Sequence, residues 1–163
     1  MQRKAGAGGS PDETPESLAA DEQELWRSLG RVVQRLPRVI DDDMVRASGL
    51  TMSEFAILDS LREAGESTLR ITELAANTGL SHSRVSRMVD QLSGRGWCRR
   101  ERDASDGRAA LAVLTEEGKN RADDASAHHA RIARRRFLAH VPPEARDSFR
   151  SILVAISDAG KES

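Results

Sequence analysis

The chain has no tyrosine, two tryptophans, three phenylalanines and one cysteine in 163 residues. A lone cysteine excludes an intramolecular disulfide framework and fits a reducing compartment. The scarcity of aromatics leaves little material for an aromatic ligand cage. No apolar run approaches the ~20 residues that span a bilayer, and the first residues lack the apolar core of a secretion signal. A cytoplasmic protein without a membrane partner is expected. Net charge is −1, so no overall field draws the chain onto nucleic acid or lipid. Nucleophile-elbow, Walker A, H-E-x-x-H and recognisable Cys–His patterns are all missing. Neither enzymatic activity nor a cofactor is expected.

What is present is unevenly distributed charge. Residues 10–24 carry Asp12, Glu13, Glu16, Asp21, Glu22 and Glu24 and no base. Residues 84–108 carry Arg84, Arg87, Arg95, Arg99, Arg100, Arg102 and Arg108 against Asp90, Glu101, Asp103 and Asp106. Localised basicity of that kind is a nucleic-acid footprint. Residues 1–20, rich in Gly, Pro, Ser and acids, read as a disordered tail; residues 21–160 form a single domain.

Apolar spacings of three and four from Leu25 through Leu29, Val32, Leu36 and Ile40 to Met44 predict an amphipathic helix. Pro37 should kink or split it near Leu36, and Gly49 should end it. Thr51 and Glu54 match a capping box, opening a helix whose inner face is Phe55, Leu58 and Leu61, flanked by Ile57. Thr72 is the expected cap of a short helix to Asn77, followed by a turn at Gly79. Ser81 caps the next helix, with Val85, Met88, Val89 and Leu92 inward and an end at Gly94 and Gly96.

Residues 97–102 and 109–114 read as a hairpin around a loop containing Asp106 and Gly107. Thr115 caps a long helix to Leu138, lined by Ala122, Ala125, Ala130, Ala133 and Phe137, with Ile132 and Leu138 flanking. Pro142 and Pro143 break it. A last helix carries Phe149, Ile152, Leu153 and Ile156 on one face. The class is mostly α (α+β), in the order α-α-α-α-β-β-α-α.

With its apolar stripe inward, the helix from Ser81 leaves Ser83, Arg84, Ser86, Arg87 and Gln91 outward. Its first turn offers Ser81, His82 and Ser83, with the positive end of the helix dipole, to a phosphate. Arg84 and Arg87 suit base or phosphate contact. In the hairpin loop, Asp106 beside Arg108 presents one guanidinium at the width of a minor groove. An ordinary solvated helix and a charged hairpin tip remain the plain alternatives.

The run GLSHSRVSRMVDQLSGRGWCRRERDASDGRAALAVLTEEG closely resembles the MarR family of bacterial transcription regulators. The resemblance rests on a recognition helix, a D-x-x-D-x-R-like wing and an L-T-x-x-G helix start. More loosely, it extends from about Leu25 to Ile156. It implies a winged helix-turn-helix at about 51–115, with dimerisation helices at about 21–48 and 116–160 from both termini. The implied function is a homodimeric, ligand-responsive repressor on a pseudo-palindromic double-stranded DNA operator. Ser81, His82, Ser83, Arg84, Ser86 and Arg87 carry over as recognition-helix positions, and Asp106 and Arg108 as the wing pair. Family wings often hold a second Arg where Ala104 and Ser105 stand here, so this wing has fewer contacts to offer.

The resemblance also implies a small aromatic or anionic effector, for which Trp26, Arg38, Met52 and Phe55 are the candidates; core packing for Met52 and Phe55 is the plainer reading. Arg99 and Arg100 would lower the pKa of Cys98 and favour a redox-responsive regulator, although a cysteine in a strand is more often a small buried hydrophobe. His128 and His129 suggest a metal-responsive one, but adjacent helix positions diverge and no third ligand completes a site; solvation suits them better. A winged-helix protein-interaction module is the remaining alternative.

Overall fold

The structure, a computed structural model, describes residues 17–103 and 109–160. Its elements are α1 (Ala20–Ser48), α2 (Met52–Glu63), β1 (Thr68–Arg70), α3 (Ile71–Thr78), α4 (His82–Gly94), β2 (Cys98–Arg102), β3 (Ala110–Leu114), α5 (Glu116–Arg136) and α6 (Arg146–Ala159). Two single 3-10 turns, Leu138–His140 and Pro143–Ala145, lead into α6. The expected acidic tail up to residue 16 lies outside the described residues, as do Ala104, Ser105, Asp106 and Arg108.

The chain divides into two compact units, Met1–Arg35 and Leu36–Ser163, at a boundary beside Pro37. In the first, α1 exposes Leu25, Trp26, Val32 and Val33. Of the two expected effects of Pro37, a kink or a split, the split does not occur, for α1 runs through it. Proline deletes one backbone donor and crowds the preceding turn, and here packing further along sustains the helix. Met44 is fully enclosed, and Ile40 packs on the core. Beyond them Ser48 Oγ donates to the Met44 carbonyl at 2.8 Å, and Gly49 ends the helix at φ +73°.

The capping box of α2 is formed as expected. Thr51 Oγ1 accepts from the Glu54 amide at 3.2 Å, and Glu54 Oε2 accepts from the Thr51 amide at 2.8 Å. Phe55, Ile57, Leu58 and Leu61 are all buried, so Ile57 belongs to the inner face rather than its flank.

One strand escapes the sequence pattern. β1 pairs antiparallel with β3 through Thr68–Val113, Leu69–Ala112 and Arg70–Leu111, making the sheet order β1-β3-β2. Three residues are too few to show period-two alternation. As a result α3 starts earlier than expected. Its cap is Arg70, not Thr72, and Glu73 Oε2 accepts from the Arg70 amide at 2.7 Å. The chain passes from strand to helix without a loop.

Thr115 caps α5, its Oγ1 accepting from the Gly118 amide at 3.0 Å. The helix stops at Arg136, two residues short of the expected Leu138. Ala122, Ala125 and Ile132 face the core with Met44, Leu50, Leu74, Val85, Val89, Leu92, Ala112 and Leu114. Ile132 is therefore a core residue and not a flanking one. On α6, Phe149, Ile152, Leu153, Val154 and Ile156 are exposed, although the Phe149 ring meets Phe137 at 5.8 Å between centroids.

Candidate nucleic-acid interface

Helices α3 and α4 are joined through Gly79, whose φ of +68° is a left-handed conformation that side-chain-bearing residues avoid. Ser81 caps α4, its Oγ accepting from the Arg84 amide at 3.4 Å. The roll of α4 about its axis is set by Val85, Val89 and Leu92, each with no exposed surface. Ser81, His82, Ser83, Arg84, Arg87 and Gln91 are consequently exposed on the opposite side, as their spacing requires.

Two of the expected contact residues are already engaged. Ser86 is half-buried and accepts from Arg100 Nη1 at 2.9 Å, and Arg100 also pairs with Asp90 at 2.8 Å. That bridge ties β2 to α4. Arg84 Nη2 donates to Ser53 Oγ on α2 at 3.2 Å. Arg84, Arg87, Ser53, Glu54, Met88 and Gln91 line an open cavity of about 390 Å³. Arg87 has no ion pair among the described residues.

The root of the hairpin is fixed as well. Asp103, only 8% exposed, accepts from Arg70 Nε at 2.8 Å and Nη2 at 2.6 Å. Its amide donates to the Ala109 carbonyl at 3.0 Å. A carboxylate gripped by two guanidinium nitrogens is a strong, oriented contact. It anchors the hairpin to the start of α3 at the last described residue before Asp106 and Arg108. At the other end of α4, Arg95 pairs with Glu54 at 2.8 Å and lies over Trp97, which Arg121 also covers. The helix with the exposed polar face is thus tied at both ends to α2 and to the hairpin.

Sequence reasoning passed over Arg70, Asp103, Arg100 and Ser53 as site-supporting residues. Asp103 had a signal, as the first acid of the D-x-x-D-x-R pattern. Arg100 and Ser53 had none, because their partners are distant in sequence.

Cys98 is 1% exposed, and its thiol donates weakly to the Val89 carbonyl at 3.5 Å. Burial pushes its pKa up to about 11, with the nearby Asp90 charge adding. The expected help from its neighbours fails because the guanidiniums turn away, Arg100 to Asp90 and Arg99 to Glu101. A buried neutral thiol is a poor redox sensor. His129 is not simply solvated, since its ring lies against Phe55 at 4.7 Å. His128 approaches Arg131 at 3.4 Å. Of the effector candidates, Phe55 is buried and Met52 packs on the core, while Arg38 and Trp26 are exposed.

A family model described as "MarR family" matches residues 50–110, the segment that holds this site. The crystal structure of Sco3205, a MarR family transcriptional regulator from Streptomyces coelicolor in complex with DNA, is 30% identical. It aligns over 91% of this chain and 92% of its own, with a TM-score of 0.85. This chain belongs to the MarR family of transcriptional regulators. CouR from Rhodococcus jostii, solved bound to p-coumaroyl-CoA, is 29% identical over 86% of this chain and 95% of its own, with a TM-score of 0.70. YkoM, an HTH-type transcriptional regulator of Bacillus subtilis, is 29% identical over 88% of this chain and 92% of its own. In this MarR protein α3 and α4 are the helix-turn-helix, and β2 and β3 are the wing. No helix among the described residues is long and apolar enough to cross a membrane.

Proposed function

We propose that this MarR protein is a cytoplasmic, ligand-responsive repressor that binds a pseudo-palindromic operator as a homodimer and catalyses no reaction. The observation that carries the reading is the exposed polar face of α4, turned outward by Val85, Val89 and Leu92 and braced against the wing through Arg100. Such a helix enters the major groove, and its first turn accepts a backbone phosphate. Arg84, leaning on Ser53, is placed for phosphate. Arg87 reads a base edge, with Ser81, His82 and Ser83 beside it, while Ser86 acts indirectly by holding Arg100. Asp106 and Arg108 are assigned to the minor groove.

The dimer is supported by apolar surface that a monomer rarely leaves exposed. Both α6, from Phe149 to Ile156, and the first part of α1, from Leu25 to Val33, carry it. A second copy related by a two-fold axis covers these faces and doubles the phosphate contacts. Residues 21–48 and 116–160 are accordingly assigned to dimerisation and 51–115 to DNA. The complexes named for Sco3205 and CouR support duplex DNA and an aromatic, anionic effector as the partners.

The test is selection of duplexes from a random library, followed by titration of the recovered operator at fixed salt. Arg87→Ala should cost about 1–3 kcal/mol and relax preference at one base pair. Arg108→Ala should weaken all sequences nearly equally. Unchanged titrations for both variants, or a salt-insensitive interaction with no duplex affinity, would remove the assignment.

A further inference from the structure

Between the C-terminal halves of α1 and α5 lies an open cavity of about 430 Å³, remote in sequence from the helix-turn-helix. Its walls include Arg46, Arg131, Arg135, Arg136, Asp43 and Ile132. Three of these guanidiniums grip one carboxylate, and Arg131 lines the same cavity with its own directed to His128. Asp43 is 7% exposed and satisfied on both oxygens, with Oδ1 accepting from Arg46 at 2.7 Å and Oδ2 from Arg135 at 2.8 Å and Arg136 at 2.7 Å. The three arginines hold its carboxyl well below the usual range, Arg136 most strongly.

Arginines at a helix end ordinarily soften the helix dipole while pointing into solvent. Here two of the three in the last turn of α5 are drawn sideways onto a buried acid of another helix. A guanidinium has five N–H donors in a planar fork, and Asp43 takes only part of that capacity from each. Arg131 stands one turn before Arg135, so it lies on the same side of α5. The floor is apolar, formed by Ile132 at 4% exposure. A prearranged set of donors over an apolar floor is how a protein holds an oxyanion attached to a hydrophobic body.

We propose that this cavity binds a small oxyanion, a carboxylate or phosphoryl group, with Asp43 as the residue that positions the arginines. The proposal rests on the ligand-responsive reading above and gives that ligand a site. The four candidates chosen from sequence contribute none of these donors.

Isothermal titration of the full chain with sodium pyrophosphate, and separately with sodium benzoate, at ionic strength matched with chloride, tests the site. Saturable binding of either anion is expected, the pair distinguishing phosphoryl from carboxylate. Arg135→Ala should weaken it at least tenfold, and Lys119→Ala, an exposed base in the first turn of α5, should leave it unchanged. Arg46→Ala, altering a side chain 70% exposed, should weaken it likewise and serves if the Arg135 variant does not fold. No saturable binding of either anion would overturn the proposal. So would binding retained in the arginine variants, or binding abolished by Lys119→Ala. Operator affinity of the wild-type chain, measured with and without the bound anion, separates the two readings. Binding without a change in operator affinity leaves the site standing and removes the ligand response.

Discussion

Gly118 opens the first turn of α5 directly against the root of the wing. A methyl built there would lie 1.8 Å from the Trp97 carbonyl oxygen, 2.8 Å from its carbon and 2.9 Å from Leu114 Cδ1. Two of those three atoms are backbone, which no rotamer change relieves. Restoring ordinary contact requires α5 and the strand root to separate by about 1.5 Å. Forcing one methyl into a packed site costs about 1–3 kcal/mol. Separation also stretches the Thr115 amide to Trp97 carbonyl bond at 3.2 Å and the Thr115 hydroxyl to Gly96 carbonyl bond at 2.7 Å, each worth about 1 kcal/mol. Against this, alanine gains about 1 kcal/mol of helix propensity over glycine. Gly118→Ala should therefore destabilise by about 3 kcal/mol. In urea, with a slope of about 2 kcal/mol/M, the midpoint should fall by about 1.5 M. Protein concentration is held fixed because self-association shifts midpoints. Gly94→Ala is the control. That position is helical with nothing within 4 Å, so it should gain up to about 1 kcal/mol. A Gly118→Ala midpoint at or above wild type would refute the reasoning.

Three further outcomes follow from the same structure. With its pKa near 11, Cys98 is about one part in ten thousand thiolate at pH 7. It should react with a disulfide reagent only slowly in the native protein and rapidly in denaturant; fast native labelling would contradict its burial. The Asp43 carboxyl titrates near 3.8 when unfolded and well below that when folded. Its stabilising contribution is complete above that value and is lost as pH falls through it toward the folded pKa. Urea midpoints between pH 5 and pH 2 should thus fall less steeply in Asp43→Asn, and an unchanged slope would exclude the linkage. Leu153→Glu places a charge on the exposed apolar face of α6. Sedimentation should report a smaller species with weaker operator binding, whereas an unaltered dimer would place the interface elsewhere.

Much of this protein is decided by local pattern. The spacing of Val85, Val89 and Leu92 is enough to say which face of α4 is buried, and hence that Ser83, Arg84 and Arg87 look outward. Thr51, Ser81 and Thr115 mark helix starts because a side-chain oxygen satisfies an amide two or three residues on, a contact within one turn. Gly49 and Gly79 mark turns because only a residue without a Cβ adopts positive φ cheaply.

What tertiary structure alone decided involves partners far apart in the chain. β1 exists because β3 has a free edge to pair, not because Thr68, Leu69 and Arg70 prefer a strand. Pro37 is carried inside α1 because burial of Met44 outweighs one missing hydrogen bond. Ser86 and Arg84 are fair candidates for contact by position, but only the fold brings Arg100 to the first and Ser53 to the second. The cluster around Asp43 joins residues some ninety positions apart. Hydrophobic periodicity and capping are encoded within a turn or two, and the sequence shows them. Electrostatic partnership depends on distance in space, and for Asp43, Arg100 and Asp103 that distance is set only when the helices pack.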